Sequence, residues 1–273
     1  MIDGNLDVHW IHGSVSAKHN ADPDIQVHAY DDDTFILRQN KAVHYEAPFM
    51  FLLVGDARSV LIDTGATESA DYFPLRRTVD ELLAVHSRAG NELLVLHTHG
   101  HGDHVAADGQ FASRPDTIVV AAQRSPAWEF FGFGDDQDVV AHVDLGGRVL
   151  ECLATPGHHE AAVTYYDSRT GLLLTGDTVY PGRLYVQDAA AFAASIDRMA
   201  AFAATREVSH ILGCHIEMST EPGVDYPVGT TYQPAEPPLQ LTLTQLADVQ
   251  AAAHQVNGRP GRHVYDDFVL EIR

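Results

Sequence analysis

Apolar residues in this chain come in short runs, and chemically reactive polar residues end many of them. Residues 25–30 alternate, and 34–38 are rich in β-formers. Residues 48–54 form an unbroken apolar run, Gly55-Asp56 signals a turn, and 59–63 make the next run, stopped at Asp63-Thr64-Gly65. Runs this short, bounded by turn residues, predict strands, here an antiparallel meander. Leu75, Val79, Leu82 and Leu83 give a helical stripe over 74–86, with Gly90 as its stop. Residues 93–97 then predict a fully buried strand that runs directly into a histidine cluster.

The pattern repeats in the second half. A short helix is expected over 105–111 and a strand over 117–121. Residues 148–154, 162–166, 172–175 and 208–212 predict further strands, and 188–204 and 239–256 predict helices. The last residues suit an edge strand. Residues 219–238 carry five prolines, at 222, 227, 234, 237 and 238, which predicts an irregular segment. That segment and 20–50, both bearing aromatics such as Tyr30, Tyr45, Phe49, Tyr226 and Tyr232, are the candidate lids or pocket walls. Reactive side chains fall just after buried strands, at 63, 97–104, 155–159, 177 and 215. Loops at the ends of a rigid sheet are where binding groups commonly sit.

Composition narrows the chemistry. A chain of 273 residues fits one large domain, 1–273. Its net charge of −21, with lysine only at positions 18 and 41, disfavours nucleic acid as a partner. No apolar run is long enough for a membrane span. The first ten residues lack the basic-then-apolar pattern of a signal peptide, so a cytoplasmic location is expected, although a mature secreted form would read the same way. A small-molecule substrate remains, and a homo-oligomer is compatible with all of this. Cys152 and Cys214 have no CxxC neighbour and read as two buried thiols.

Seventeen histidines is a high number, and several are clustered. In the run His99-Gly-His101-Gly-Asp103-His104, neutral imidazoles and a carboxylate supply ligands suited to zinc-like ions. Alternate residues of an extended loop point the same way, so His99 and His101 can share one ion, with Asp103 and His104 turned to a neighbouring position. Further ligands must come from elsewhere, and His158-His159, Asp177 and His215 each follow a strand.

Five pieces carry a resemblance: residues 61–65, Thr98-His99-Gly-His101-Gly-Asp103-His104, Thr155-Pro-Gly-His158, Gly176-Asp177-Thr178 and Gly213-Cys-His215. In this order they resemble the metallo-β-lactamase superfamily. The resemblance implies an α/β fold, the four-layer αβ/βα sandwich, and two divalent metal ions, zinc first, with iron or manganese as the other candidates. It implies His99, His101 and His158 on one ion and Asp103, His104 and His215 on the other. Asp177 would bridge them and Asp63 would orient the site from behind. A metal-bound hydroxide would attack an ester-type carbonyl, with Asp103 also assisting proton transfer. His159 is assigned to packing behind His158, His97 to structure, and no thiolate ligand is expected at Cys214.

Within that family, His101 stands where the di-iron flavoproteins usually carry Glu. Nucleases of the fold usually add a large domain, and β-lactamases generally lack a carboxylate at position 177. A complete second site argues against the one-iron persulfide dioxygenases. Thioesterases resembling glyoxalase II keep all seven ligands, but their Gly-Gly after the Asp-His pair is replaced by Val105-Ala106-Ala107, and basic residues for glutathione are not evident. Lactonases of acyl-homoserine lactones keep the same ligands, and many place a tyrosine three residues after the bridging aspartate. Tyr180 fits that spacing as a catalytic contact to substrate. Arg183 and Tyr185 follow closely enough to face the site. The reading is therefore a metal-dependent hydrolase of a thioester or related ester. Its alternatives are a lactonase, β-lactamase activity, and a non-catalytic metal-binding protein.

Overall fold

The structure is a computed structural model that describes residues 2, 4–86, 92–134 and 137–273. Its first half builds a six-stranded sheet in the order β1-β2-β3-β4-β5-β6. These strands are β1 Ile25–Asp31, β2 Thr34–Gln39, β3 Phe49–Val54, β4 Ser59–Ile62, β5 Leu93–Leu96 and β6 Thr117–Val119. The first four form the expected antiparallel meander, and β4, β5 and β6 run parallel. Helices α1 (Leu75–His86), α2 (Gly102–Val105), α3 (Asp108–Phe111) and α4 (Arg124–Phe131) belong to this half. The second sheet has the order β13-β12-β10-β9-β8-β7. Its strands are β7 Val140–Asp144, β8 Val149–Ala154, β9 Val163–Asp167, β10 Leu172–Gly176, β12 His210–Gly213 and β13 Gln240–Leu241. A small third sheet joins β11 (Arg183–Val186) to β15 (Val269–Ile272) and β14 (Gly261–Val264), beside helices α5 (Ala189–Ala203) and α6 (Leu243–Val256).

The unbroken apolar runs explain the layering. Side chains alternate between the faces of a strand, so a strand apolar at every position must be covered on both. In β3, Phe49, Phe51 and Leu53 join the core between the two large sheets, where they meet Leu150, Cys152, Tyr165 and Leu174. Met50, Leu52 and Val54 point the other way, into a cluster with Leu75, Val79 and Leu83 of α1. The outer face of the second sheet packs Leu173 and Ile211 against Ile196, Met199, Leu246 and Val249 of α5 and α6. The result is helix, sheet, sheet, helix.

Several elements differ from the periodicity. The helix expected over 105–111 is two single turns, α2 and α3, so His104 lies on a turn of its own. Residues 240–241 pair with β12, and α6 starts only at Leu243, where Thr242 and Gln245 form a reciprocal capping box. α4, β7, β11 and β14 have no counterpart among the expected elements, and the last residues form β15, the middle strand of the third sheet and not an edge, because β11 and β14 pair with it on either side. The helix stop expected at Gly90 lies outside the described residues. Of segment 20–50, residues 25–31 and 34–39 are sheet strands, and 40–48 remain as a loop. Segment 219–238 has no helix or regular strand. It is tied to the N-terminal residues by a bridge between Gly13 and Tyr232 and by Gln233 N donating to His12 O. Both cysteines are buried and free. Among the described residues, no helix is long and apolar enough to cross a membrane.

One buried cation joins the two large sheets. Arg148 donates through Nε and Nη2 to the Asp167 carboxylate at 2.9 and 2.7 Å. It also donates to the carbonyls of Asp33 and Val54 and to Thr34 Oγ1 across the sandwich. Removing one partner of a buried ion pair strands the other, which typically destabilises by about 3–5 kcal/mol. Arg148→Ala should therefore lower the unfolding free energy by roughly that amount in denaturant titration. A change well under 1 kcal/mol would contradict the role.

Candidate metal centre

Strand direction places the reactive loops together. β4, β5, β10 and β12 are each parallel to a neighbour, and β8 is parallel to β10 through the antiparallel β9 between them. Their C-terminal ends therefore share one edge of the sandwich, and Asp63, His99, His158, Asp177 and His215 follow those ends. Gly176 turns there with φ +54°, and a Cβ on it would lie 2.6 Å from the Cβ of Thr98. Only glycine lets the Asp177 loop approach the histidine loop so closely.

Two groups of ligand atoms result. His101 Nδ1 lies 2.9 Å from His99 Nε2 and 3.1 Å from His158 Nε2. Asp103 Oδ2 lies 3.3 Å from His104 Nε2 and 3.2 Å from His215 Nε2. Asp177 stands between the groups. Its Oδ2 is 3.7 Å from His158 Nε2 and 4.0 Å from His99 Nε2, while its Oδ1 is 3.5 Å from His104 Nε2 and 3.3 Å from His215 Nε2. Nitrogen ligands about 2.0–2.1 Å from one tetrahedral zinc ion would be about 3.3 Å apart, so these spacings suit an ion in each group. His104 Nε2 and Asp177 Oδ1 are also buried without a hydrogen-bond partner. Orphaned buried polar atoms are unfavourable unless something binds them.

Outward hydrogen bonds aim the imidazoles. His104 Nδ1 meets Asp63 Oδ2 at 2.8 Å, His158 Nδ1 meets the Tyr185 carbonyl at 2.8 Å, and His215 Nδ1 meets the Glu46 carbonyl at 3.2 Å. His99 Nδ1 meets Thr98 Oγ1 at 3.2 Å. An Nδ1–H engaged outward leaves an Nε2 lone pair facing inward, the form a metal requires. Asp63 lies behind this edge at φ +66°, fully buried, and accepts from Thr98 N and Thr98 Oγ1 at 2.7 Å each.

The groups differ electrostatically. Burial, reinforced by neighbouring imidazoles, lowers the pKa of His99, His101 and His158, so that group is neutral. Burial also opposes charge on His104 and His215, but there the carboxylates prevail. Asp103, Asp177 and Asp63 raise His104 well above its ordinary value, and Asp177 with Asp103 pushes His215 up to about 9. Burial works against ionisation of Asp103 and Asp177 too, yet the facing histidines hold both carboxyls well below the usual range.

Other expected residues fall at different distances from this centre. His159 rings the first group, its centroid 4.9 Å from that of His101, and its Nδ1 accepts from Ala161 N instead of joining the converging atoms. His97 is held by the Val120 carbonyl and Asp108, away from both groups. Cys214 directs its Sγ to Asp63 Oδ2 at 3.4 Å. Tyr180, expected as a substrate contact, has its hydroxyl engaged within the protein. It is 1% exposed, and its hydroxyl is held by the Arg183 carbonyl and by Glu217 Oε2 at 3.1 Å. Its ring packs on His215, centroids 5.6 Å apart. Arg183 pairs with Glu217 and Asp225 and does not reach the ligand groups; Tyr185 contributes its backbone carbonyl. The carbonyls of Glu46 and Tyr185 were not legible beforehand, because a backbone acceptor has no residue-specific signal. Thr98, inside the histidine motif, could have been singled out.

A sequence model of the metallo-beta-lactamase superfamily matches residues 46–207. The chain belongs to this superfamily. Solved metallo-beta-lactamases share the fold. The enzyme from Pontibacter korlensis superimposes with a TM-score of 0.58 at 15% identity, covering 84% of this chain and 99% of that one. FIM-1 from Pseudomonas aeruginosa gives 0.59 at 13%, covering 87% and 98%. Relatives by sequence include the hydroxyacylglutathione hydrolase of Rhizobium meliloti (strain 1021), 31% identical over 56% of this chain and 60% of that protein. That of Nostoc punctiforme is 28% identical over 49% and 51%. The chain thus spans about half the length of the curated relatives it matches.

The protonation pattern predicts pH-dependent metal uptake. An ion entering the second group must displace protons held by His104 and His215. Apparent affinity should rise with pH through about 9, the value for His215, and go on rising while His104, whose pKa is also raised, keeps its proton, with proton release on binding. Calorimetry in buffers of different ionisation enthalpy measures this. Affinity that is flat across that range would contradict the assignment.

Proposed function

We propose that this chain is a binuclear metal-dependent hydrolase acting on a thioester or a related ester. The observation that carries the reading is the placement of Asp177, one carboxylate oxygen toward each ligand group. His99, His101 and His158 would hold one divalent ion and Asp103, His104 and His215 the other, with Asp177 touching both. Imidazole and carboxylate donors suit zinc. Two such ions supply an activated water and stabilise the charge that develops on a carbonyl oxygen.

The chain's own residues do the rest. Asp63 and Thr98 hold the rings of His104 and His99 in register. Asp103, kept ionised beside two histidines, would hold a proton of the attacking water, while its carboxylate orients His215. Residues 1–273 act as one catalytic domain in this reading, with 40–48 and 219–238 as walls around the centre: the first reaches His215 through Glu46, and the second holds Arg183 through Asp225. The relatives named hydroxyacylglutathione hydrolase support a thioester. Val105-Ala106-Ala107 and the absence of Lys or Arg from α6 weigh against assuming glutathione as the thiol half. The lactone alternative shares the same ligand set, and the tyrosine that would favour it, Tyr180, has its hydroxyl engaged by the Arg183 carbonyl and Glu217.

A panel of thioesters, lactones, a cephalosporin and a phosphodiester, run with defined metals, tests the reading. Thioester turnover should dominate, and hydrolysis of lactones alone would replace it. Asp103→Ala should lower kcat by about 10²–10⁴-fold or more. Substantial residual activity in that variant, with both ions bound, would sink the mechanism.

A further inference from the structure

The chain contains two lysines, and one of them is buried. Lys41 is 3% exposed, whereas lysine is almost never buried unless it is paired. Its ammonium donates to the carbonyl of Tyr45 at 3.0 Å. No carboxylate lies within ion-pair distance of it among the described residues. The neighbouring carboxylates of Glu236 and Glu217 are already engaged by Arg38 and Arg183, each pair at 2.6 Å. Burial, and then Arg38, pushes the Lys41 pKa down to about 8, so the charge is kept against a real penalty. A methionine would fill such a space without that penalty. The position therefore calls for a donor.

What the donor holds is the 40–47 turn. Val43 N and His44 N both bond to Asn40 O, Ala42 N bonds to Asn40 Oδ1, and Ala47 N bonds to His44 O. Ala47 closes the turn at φ +46°, a conformation that alanine rarely adopts and that needs support from its surroundings. Two contacts then lead from this turn to the metal centre. The Glu46 carbonyl meets His215 Nδ1 at 3.2 Å, and Phe49 N bonds to Cys214 O at 2.8 Å. The ligands His99 and His158 are steadied by Thr98 and Tyr185, outside this turn.

We propose that Lys41 is a positioning residue for the second metal: its buried ammonium clamps the 41–46 turn so that the Glu46 carbonyl fixes the ring of His215. Without the clamp the Tyr45 carbonyl loses its donor, the turn relaxes, and His215 loses the acceptor that aims its Nε2 at Asp103 and Asp177. The inference rests on His215 being a metal ligand.

The test compares wild type with Lys41→Met in stepwise titration with Co²⁺ and Zn²⁺. Affinity for the first ion should be unchanged, and affinity for the second should fall about 10–100-fold, as with other residues that orient metal ligands. In the zinc-loaded protein, the His215 Nδ1–H should exchange slowly with solvent in wild type and distinctly faster in the variant. Lys41→Gln, one bond too short to reach Tyr45 O, should reproduce the selective loss if Lys41→Met does not fold. Unchanged second-ion affinity in the folded variant, or an equal loss at both sites, overturns the proposal. A rapidly exchanging His215 Nδ1–H in the wild type does the same. If the wild type itself binds no divalent ion, the metal-centre reading fails. If it binds two and the variants match it, only the role of Lys41 fails.

Discussion

Everything at the reactive edge depends on keeping one buried carboxylate satisfied. Asp63 sits where the first sheet ends, with no access to water, and an isolated buried charge there would be severely unfavourable. It accepts from Thr98 N, Thr98 Oγ1 and His104 Nδ1, and Cys214 directs its thiol at it. These donors come from the β5 loop, from α2 and from the end of β12. One charge therefore ties both sheets together at the edge where the ligand atoms converge. The left-handed backbone at Asp63 fits that demand, because it turns the chain immediately after a buried strand.

The centre that results is divided by charge. Two buried imidazoles and the half-buried His101 form a neutral group, and two imidazoles share protons with Asp103 and Asp177 in the other. The histidines of the second group are therefore occupied by protons until a cation replaces them. The same carboxylates that hold those protons attract the ion that displaces them. A chain of net charge −21 adds a long-range attraction for divalent cations and a repulsion for polyanions.

Tyr180 shows how much a local spacing leaves undecided. It lies three residues after Asp177, a spacing suited to a substrate contact. Yet the Pro181-Gly182 turn brings the Arg183 carbonyl back onto its hydroxyl, and Glu217, far along the chain, adds a second partner. The ring serves His215 by packing. A similar logic governs Arg183, whose charge is consumed by Glu217 and Asp225. In both cases Glu217, from a segment far along the chain, supplies a competing partner.

By itself the sequence determined most of the buried strands and the cluster of reactive side chains that follows them, and its resemblance to a known superfamily implied the layered sandwich. Buried strands announced themselves as unbroken apolar runs, and the histidines and aspartates that follow them are rare enough in such clusters to stand out. Only the tertiary structure decided how near these side chains come to one another and that the carbonyls of Glu46 and Tyr185 meet the rings of His215 and His158. Lys41 belongs with these, since a single lysine in a polar stretch has no visible purpose until its burial is known. The division has a physical cause. A side chain carries its chemistry wherever it stands, so clustering is readable along the chain. A backbone carbonyl is the same at every residue, and which one meets a given imidazole is set by the packing of strands far apart in sequence.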